Sequence, residues 1–378
     1  MKKQMKTKHV KMKATALVMA TLMAFAGCGA QESSAEATSQ VTETIATQAV
    51  VSTEAATETA QTTEASVETV EAVAITEAVE KVAVKVGSMK GPTSMGLMFL
   101  MEDAENGEAT HNYEFQMATA ADELLPLMIK GELDIALVPA NVASVLYNKT
   151  EGGISVIDIN TLGVLYMVSG DDSIASVADL KGKTIYLTGK GTTPDYVLQY
   201  LLKENGFVDG DCTIEYKSEA TEVAAVLAEN PDAVGLLPQP FVTAACAQND
   251  ALKVVLDTNV EWDKLQGEGG SRLVTGVTVV RNAFLEENKE VVDAFLAEHA
   301  SSAEAINADA TTGAALVVEA GIIAKEPLAQ KAIPNCNITC ITGEEMKQAL
   351  AGYLNVLFEQ APESVGGALP GDEFYYVP

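Results

Sequence analysis

The stretch DIALVPANVA at 134–143 returns in altered form as DAVGLLPQPF at 232–241, each an Asp, a short apolar run and a Pro that opens the next segment. Upstream stand VGSMKGPTSMG at 86–96 and IYLTGKGTTPD at 185–195, so Gly91 precedes Pro139 by 48 positions and Gly191 precedes Pro238 by 47. A repeat at this spacing restricts the fold to two similar units in tandem, because each copy must bury the same pattern in the same way.

Within each unit short apolar runs alternate with amphipathic stretches, the pattern of strands joined by crossover helices in a parallel sheet. Strands are expected at 82–86, 113–117, 135–138 and 154–160, then at 184–187, 213–216, 233–237 and 252–256. Helices are expected at 94–104, 122–130 and 141–147, then at 195–205, 219–229 and 240–248. The fold class is therefore α/β with two lobes: 81–168 begins the first, 169–272 forms the second, and 273–378 returns to the first. Segments 161–169 and 271–280 connect the lobes, and helices at 286–299 and 343–358 pack back onto the first.

In an open α/β sheet a ligand sits beyond the carboxyl ends of the strands, where the following helices present their N-termini. All four echoed stretches lie at such junctions. Gly lets the backbone approach whatever is held there, Pro suits the first helical turn, and free N–H groups sit at the positive end of the helix dipole. The candidate ligand-binding residues are Gly91, Pro92, Thr93, Ser94, Met95 and Asn141 from the first lobe, Tyr166, Gly191, Thr192, Thr193, Tyr196 and Gln239 from the second, and Thr275 in the return strand. A Pro or Gly at one helix start is ordinary capping; four at paired spacing single themselves out. Trp262, the one tryptophan, reads equally as a cleft-facing platform and as a packing residue near the hinge.

The formal net charge of −29 excludes nucleic acid as a partner, since binding a phosphate backbone needs clustered Lys and Arg. Cys336 and Cys340 are close in sequence, but no His stands near them, and the only histidines are His9, His111 and His299. Neither a metal nor a cofactor is expected, only buried thiols or one local disulfide. No HExxH, Walker loop or Ser-His-Asp set is present, so no catalytic residue is assigned.

The chain begins with six lysines within Met1–Lys13 and a 13-residue apolar run, Ala14–Ala26, an export signal too short to span a bilayer. The run closes in FAGC at 25–28, which resembles a bacterial lipobox, although Phe25 stands where Leu is commoner. Residues 1–27 thus read as a lipoprotein signal peptide and Cys28 as the lipidated N-terminus, a membrane anchor. Residues 28–80 carry ten Glu and no Lys, Arg or aromatic side chain, and read as a disordered Thr/Ala/Glu tether. A coil of that length reaches on the order of 40 Å.

DLKGKTIYLTGKGTTPDYVL at 179–198, DAVGLLPQPF at 232–241 and VTGVTVVRNAFLEEN at 274–288 resemble, in that order and spacing, the substrate-binding lipoproteins of ABC importers. Within these the chain looks most like the nitrate, sulfonate, taurine and thiamine-precursor binding family, over residues 82–378. The resemblance implies a type II periplasmic-binding fold whose lobes close on a small-molecule ligand held by 91–95, 139–141, 189–194 and 238–240. It also implies a monomer anchored on the extracytoplasmic face of a bacterial membrane, delivering to an ABC permease and its ATPase.

With only two arginines, Arg272 and Arg281, a ligand gripped by a guanidinium fork is disfavoured. Helix ends, hydroxyls and amides suit a small oxyanion such as a sulfonate or nitrate. They also suit a heteroaromatic such as a pyrimidine or thiamine precursor, for which Met89, Met95, Tyr166 and Tyr196 offer walls. The rival readings are a ligand-sensing module and an enzyme of pyrimidine metabolism on the same fold. Against the enzyme stand the absence of a clustered Cys motif and the placement of His111 and His299 in charged stretches.

Overall fold

A computed structural model describes residues 80–267 and 269–378. The expected signal peptide, Cys28 and the tether as far as residue 79 lie outside the described residues. The chain first forms β1 (Ala83–Met89), α1 (Pro92–Met95), α2 (Met98–Asn106), β2 (Asn112–Ala118), α3 (Ala121–Lys130), β3 (Ile135–Pro139), α4 (Ala140–Lys149) and β4 (Ile154–Leu162). It continues with β5 (Leu165–Ser169), β6 (Thr184–Thr188), α5 (Thr193–Glu204), β7 (Thr213–Lys217), α6 (Ala220–Glu229), β8 (Val234–Pro238), α7 (Phe241–Gln248), β9 (Lys253–Asp257) and α8 (Thr258–Gln266). It ends with β10 (Val274–Arg281), α9 (Asn282–Glu287), α10 (Lys289–Ala308), α11 (Ala310–Glu319), α12 (Glu326–Ala332), β11 (Ile338–Ile341) and α13 (Gly343–Gln360).

Two sheets result, in the orders β11-β4-β10-β3-β1-β2 and β7-β6-β8-β5-β9. They are built alike. In the first, β1 pairs parallel with β2 and β3, and β10 enters antiparallel between β3 and β4. In the second, β6 pairs parallel with β7 and β8, and β5 enters antiparallel between β8 and β9. The wholly parallel sheets expected from the alternation are therefore mixed. In each sheet the antiparallel strand is the one that arrives from the other lobe, β10 after α8, and β5 directly after β4 across Gly163 and Val164. The chain changes sheet at these residues, a few positions before the expected division between 168 and 169.

Local signals explain the elements. In α3 the side chains of Leu124 and Met128 are buried, Asp122 and Glu123 lie in the first turn, and Lys130 lies in the last. Glu123 Oε1 accepts from Thr119 Oγ1 (2.6 Å) and from the N–H of Ala120 (3.0 Å), and Gly131 ends the helix at φ 72°. β3 and β8 are almost wholly buried, hence their continuous apolar runs.

One apolar cluster extends from Val138, Val156 and Val277 in the first sheet through Met167, Ile185 and Leu236 in the second, with Trp262 and Tyr353 among its members. Cys336 and Cys340 are both free thiols, and burial pushes the Cys336 thiol up to about 12. Among the described residues no helix is long and apolar enough to cross a membrane.

Candidate functional site

In the first lobe β1 ends at Met89, and the N–H of Lys90 donates to Ala118 O at 2.9 Å. Gly91 then takes φ 145°, a conformation that favours glycine, and Pro92 opens α1. Thr93 Oγ1 donates to Met89 O at 3.2 Å and Ser94 Oγ donates to the same carbonyl, so both hydroxyls fasten the loop to its own strand. The Met95 side chain is fully buried, in one apolar cluster with Met98, Ala303, Ile306 and Ile338.

The other first-lobe junction lies beside this loop. Pro139 pairs with Gly276 on β10, and Gly276 pairs in turn with Thr161 on β4. A Cβ on Gly276 would collide with Asn160 Oδ1 and Thr93 Cγ2, so the loop at 91–95 rests on β10 at this point. Thr275 is half-buried next to it. Asn141 Nδ2 donates to Ser364 O at 3.2 Å, which ties its amide to the C-terminal segment. Gly276→Ala is expected to lower stability by about 1–3 kcal/mol by overpacking and to move α1, read out as a fall in the thermal midpoint.

In the second lobe β6 ends at Thr188, and Gly189 and Gly191 follow at φ 77° and 70°. Thr192 Oγ1 donates to Gly189 O at 2.6 Å, and Asp195 Oδ2 accepts the Gly191 N–H at 2.8 Å. Asp195 Oδ1 accepts from Tyr216 Oη at 2.7 Å, and burial followed by that carboxylate pushes the Tyr216 phenol up to about 12. Thr193 lies beside the Tyr353 phenol, which burial pushes well above its ordinary value. The half-buried Tyr196 has its phenol raised by burial, then by Glu363 and Asp195. At the remaining junction Gln239 donates its N–H to Val164 O (2.9 Å), and its Oε1 accepts from Thr243 Oγ1 (2.8 Å). Tyr166 is buried, and its hydroxyl donates to Asn335 O at 2.8 Å, so its polar end is occupied within the protein.

The junctions at Pro139 and Pro238 converge on one crossing. Thr161 stands in register with Gly276 beside Pro139, and Leu165, just beyond the crossing, stands opposite Pro238. Both arginines are elsewhere. Arg281 Nη2 pairs with Asp134 at 2.6 Å, next to the start of β3, and Arg272 pairs with Asp263 at 3.4 Å. The latter pair lines a cavity of about 770 Å³ between α8 and α13 that contains none of the candidate residues.

Sequence reasoning missed two groups. Lys90 and Lys190 are exposed, each stands directly before a positive-φ glycine, and the shared Lys-Gly pair was the available signal. The second is a buried polar chain under α1. Asp158 Oδ2 lies 3.2 Å from His299 Nδ1, Asp158 Oδ1 accepts from Thr278 Oγ1 at 2.9 Å, and Thr278 Oγ1 accepts from Asn160 Nδ2 at 3.2 Å. Cys340 lies against this pair, so the fold supplies the neighbouring His that linear spacing hid. His299 Nε2 is buried without a hydrogen-bond partner and lies against Gly96, where a Cβ would crowd it. Asp158, His299 and Cys340 thus form a buried polar cluster beneath α1.

Two α/β lobes of matching topology, joined at crossings and presenting helix starts to the space between them, define the periplasmic binding protein fold. Residues 125–311 match the NMT1/THI5 like family model, in agreement with the resemblance seen in the sequence. The chain is similar to an ABC transporter protein from Parabacteroides distasonis, with 25% identity, a TM-score of 0.65, and coverage of 78% of this chain and 98% of that one. It shares its fold with the periplasmic aliphatic sulphonate binding protein SsuA from Escherichia coli, at 16% identity and TM-score 0.62, covering 78% of this chain and 92% of that one. A putative periplasmic sulfonate-binding protein from Methylobacillus flagellatus KT has 16% identity and TM-score 0.54, covering 75% and 87%. No curated protein sequence matches the chain.

Proposed function

We propose that the protein is an extracytoplasmic solute-binding lipoprotein, anchored through Cys28, that captures a small organic ligand or oxyanion between its lobes and delivers it to an ABC permease and its ATPase. The observation that carries this reading is the convergence of the two proline junctions, with the glycine loop at 91 resting beside one of them, on the crossing at Gly163–Val164. The lead before the folded part supports anchorage, and the solved structures named above support the transport context. The ligand sits against the loops at 91–93 and 189–192, Asn141, Thr275 and Tyr196, without being consumed.

The lack of an arginine at the junctions turns the reading away from carboxylates clamped bidentately and toward sulfonates, nitrate, pyrimidines or thiamine precursors. A thermal-shift screen across these four classes and flavins tests it. One class is expected to raise the melting temperature in proportion to the logarithm of its concentration, with about 2.7 kcal/mol of stabilisation at a hundredfold excess over Kd. Chemical turnover of that compound by the purified protein would refute the transport reading. A shift unchanged by Asn141→Ala and Thr192→Ala would refute the site.

A further inference from the structure

Among the described residues, hydrogen bonds join the lobes on either side of the crossing at Gly163–Val164. On one side Tyr166 Oη of β5 donates to Asn335 O (2.8 Å) and accepts from Asn337 Nδ2 (3.3 Å). Asn337 sits at φ 47°, an uncommon conformation for a side-chain-bearing residue, and the same Nδ2 donates to Gly163 O at 2.6 Å. Gly163 O also accepts from Asn259 Nδ2 of α8 at 2.7 Å, so the crossing peptide is gripped from both lobes at once. On the other side α13 of the first lobe meets the first turn of α5 in the second. Gln360 Nε2 donates to Tyr196 O at 3.2 Å, and the Tyr353 phenol meets Thr193. Behind this second contact the rings of Tyr200, Trp262 and Tyr353 pack in series at tilted angles, 4.6 and 5.7 Å between centroids, from α5 through α8 to α13.

We propose that these two contacts form a latch that holds the lobes together without a ligand, Tyr166 on Asn335–Asn337 at one side and the first turn of α5 on Tyr353 and Gln360 at the other. The first turn of α5 follows the glycine loop at 189–191, so the element that closes the second lobe against α13 is the one that shapes its candidate ligand loop. Grips on both flanks of the Gly163–Val164 crossing make the two contacts report on one motion: releasing either lets the lobes rotate and loosens the other.

Hydrogen exchange of the full-length chain, with no ligand added, tests the coupling. In Tyr166→Phe, exchange is expected to rise roughly fivefold at the amides of 194–198, across the crossing from the lost hydroxyl, as one hydrogen bond is removed. In Gln360→Ala it is expected to rise at 335–338. Trp262 emission shifts to the red in both, since opening wets the ring on its Tyr353 side. Exchange that rises only beside the substituted residue, or nowhere, overturns the latch. Both variants leave the buried cores intact, and the far-ultraviolet dichroism of each checks this. Because no ligand enters the experiment, failure of the latch and failure of the solute-binding reading are separate results.

Discussion

Trp262→Ala is expected to lower the unfolding free energy by about 3–5 kcal/mol, the range for removing a large aromatic side chain from a closed site. The indole is fully buried, lies between Tyr200 and Tyr353, and donates through Nε1 to Ser271 O at 3.3 Å and Ser271 Oγ at 3.2 Å. Its ring neighbours come from two other helices, so the cavity closes only if α5 and α13 shift toward α8. Ser271 precedes the return strand, and its side chain occupies the space a Cβ on Gly352 would take, which leaves no local slack to fill the hole. Trp262→Phe retains most of the apolar area and is expected to cost less than half as much. Denaturant unfolding of the two variants measures the difference. A loss below about 1 kcal/mol in the alanine variant would mean that the helices collapse onto the site and that the ring does not join the lobes.

The fate of Trp262 shows where the sequence was readable and where it was silent. Alternation and repeat spacing located the strands and helices of the two tandem units, because their side chains face one core each and keep a regular period. β5 was read as a connector: all five of its residues are buried, so it carries no polar face to betray a strand. α8 was missed although Asp257 caps it by accepting from the N–H of Asn259 at 2.8 Å, because its short polar sequence reads as a loop. β5 and β10 run antiparallel because each enters its sheet from the other lobe, an arrangement that local composition does not encode.

The candidate site was legible in position and much less so in chemistry. Glycine spacing identified the loops at 91 and 191, and both hold their glycines at positive φ. Which atoms those loops leave free depends on partners far away in sequence: Asn141 reaches Ser364, Tyr166 reaches Asn335, and Tyr353 reaches Thr193. Met95 illustrates the same limit, since a four-residue helix has no period from which to read which side faces the core. Lys90 and Lys190 went unremarked because lysine is an ordinary surface residue until the fold shows it at the same place in both lobes.

Asp158→Ala is the second large effect, expected to cost about 3–5 kcal/mol through loss of a shared buried acceptor. Asp158, His299 and Thr278 are all fully buried, and the carboxylate serves the imidazole with one oxygen and the threonine hydroxyl with the other. Alanine leaves the imidazole and the threonine hydroxyl without the acceptor they share. Asp158→Asn keeps the volume and one acceptor, and is expected to lose less, about 1–2 kcal/mol, since only one of the two bonds must be rebuilt. Removing His299 as well, in Asp158→Ala with His299→Leu, is expected to cost less than the sum of the single changes, because the imidazole is no longer stranded. Denaturant unfolding of the four proteins gives the coupling energy directly. Additive losses would mean that the pair is two separate packing residues. Since Gly96 lies against His299 and follows α1 directly, a strongly coupled pair means that the first-lobe loop stands on a rigid polar footing, which fixes Gly91 and Thr93 before any ligand arrives.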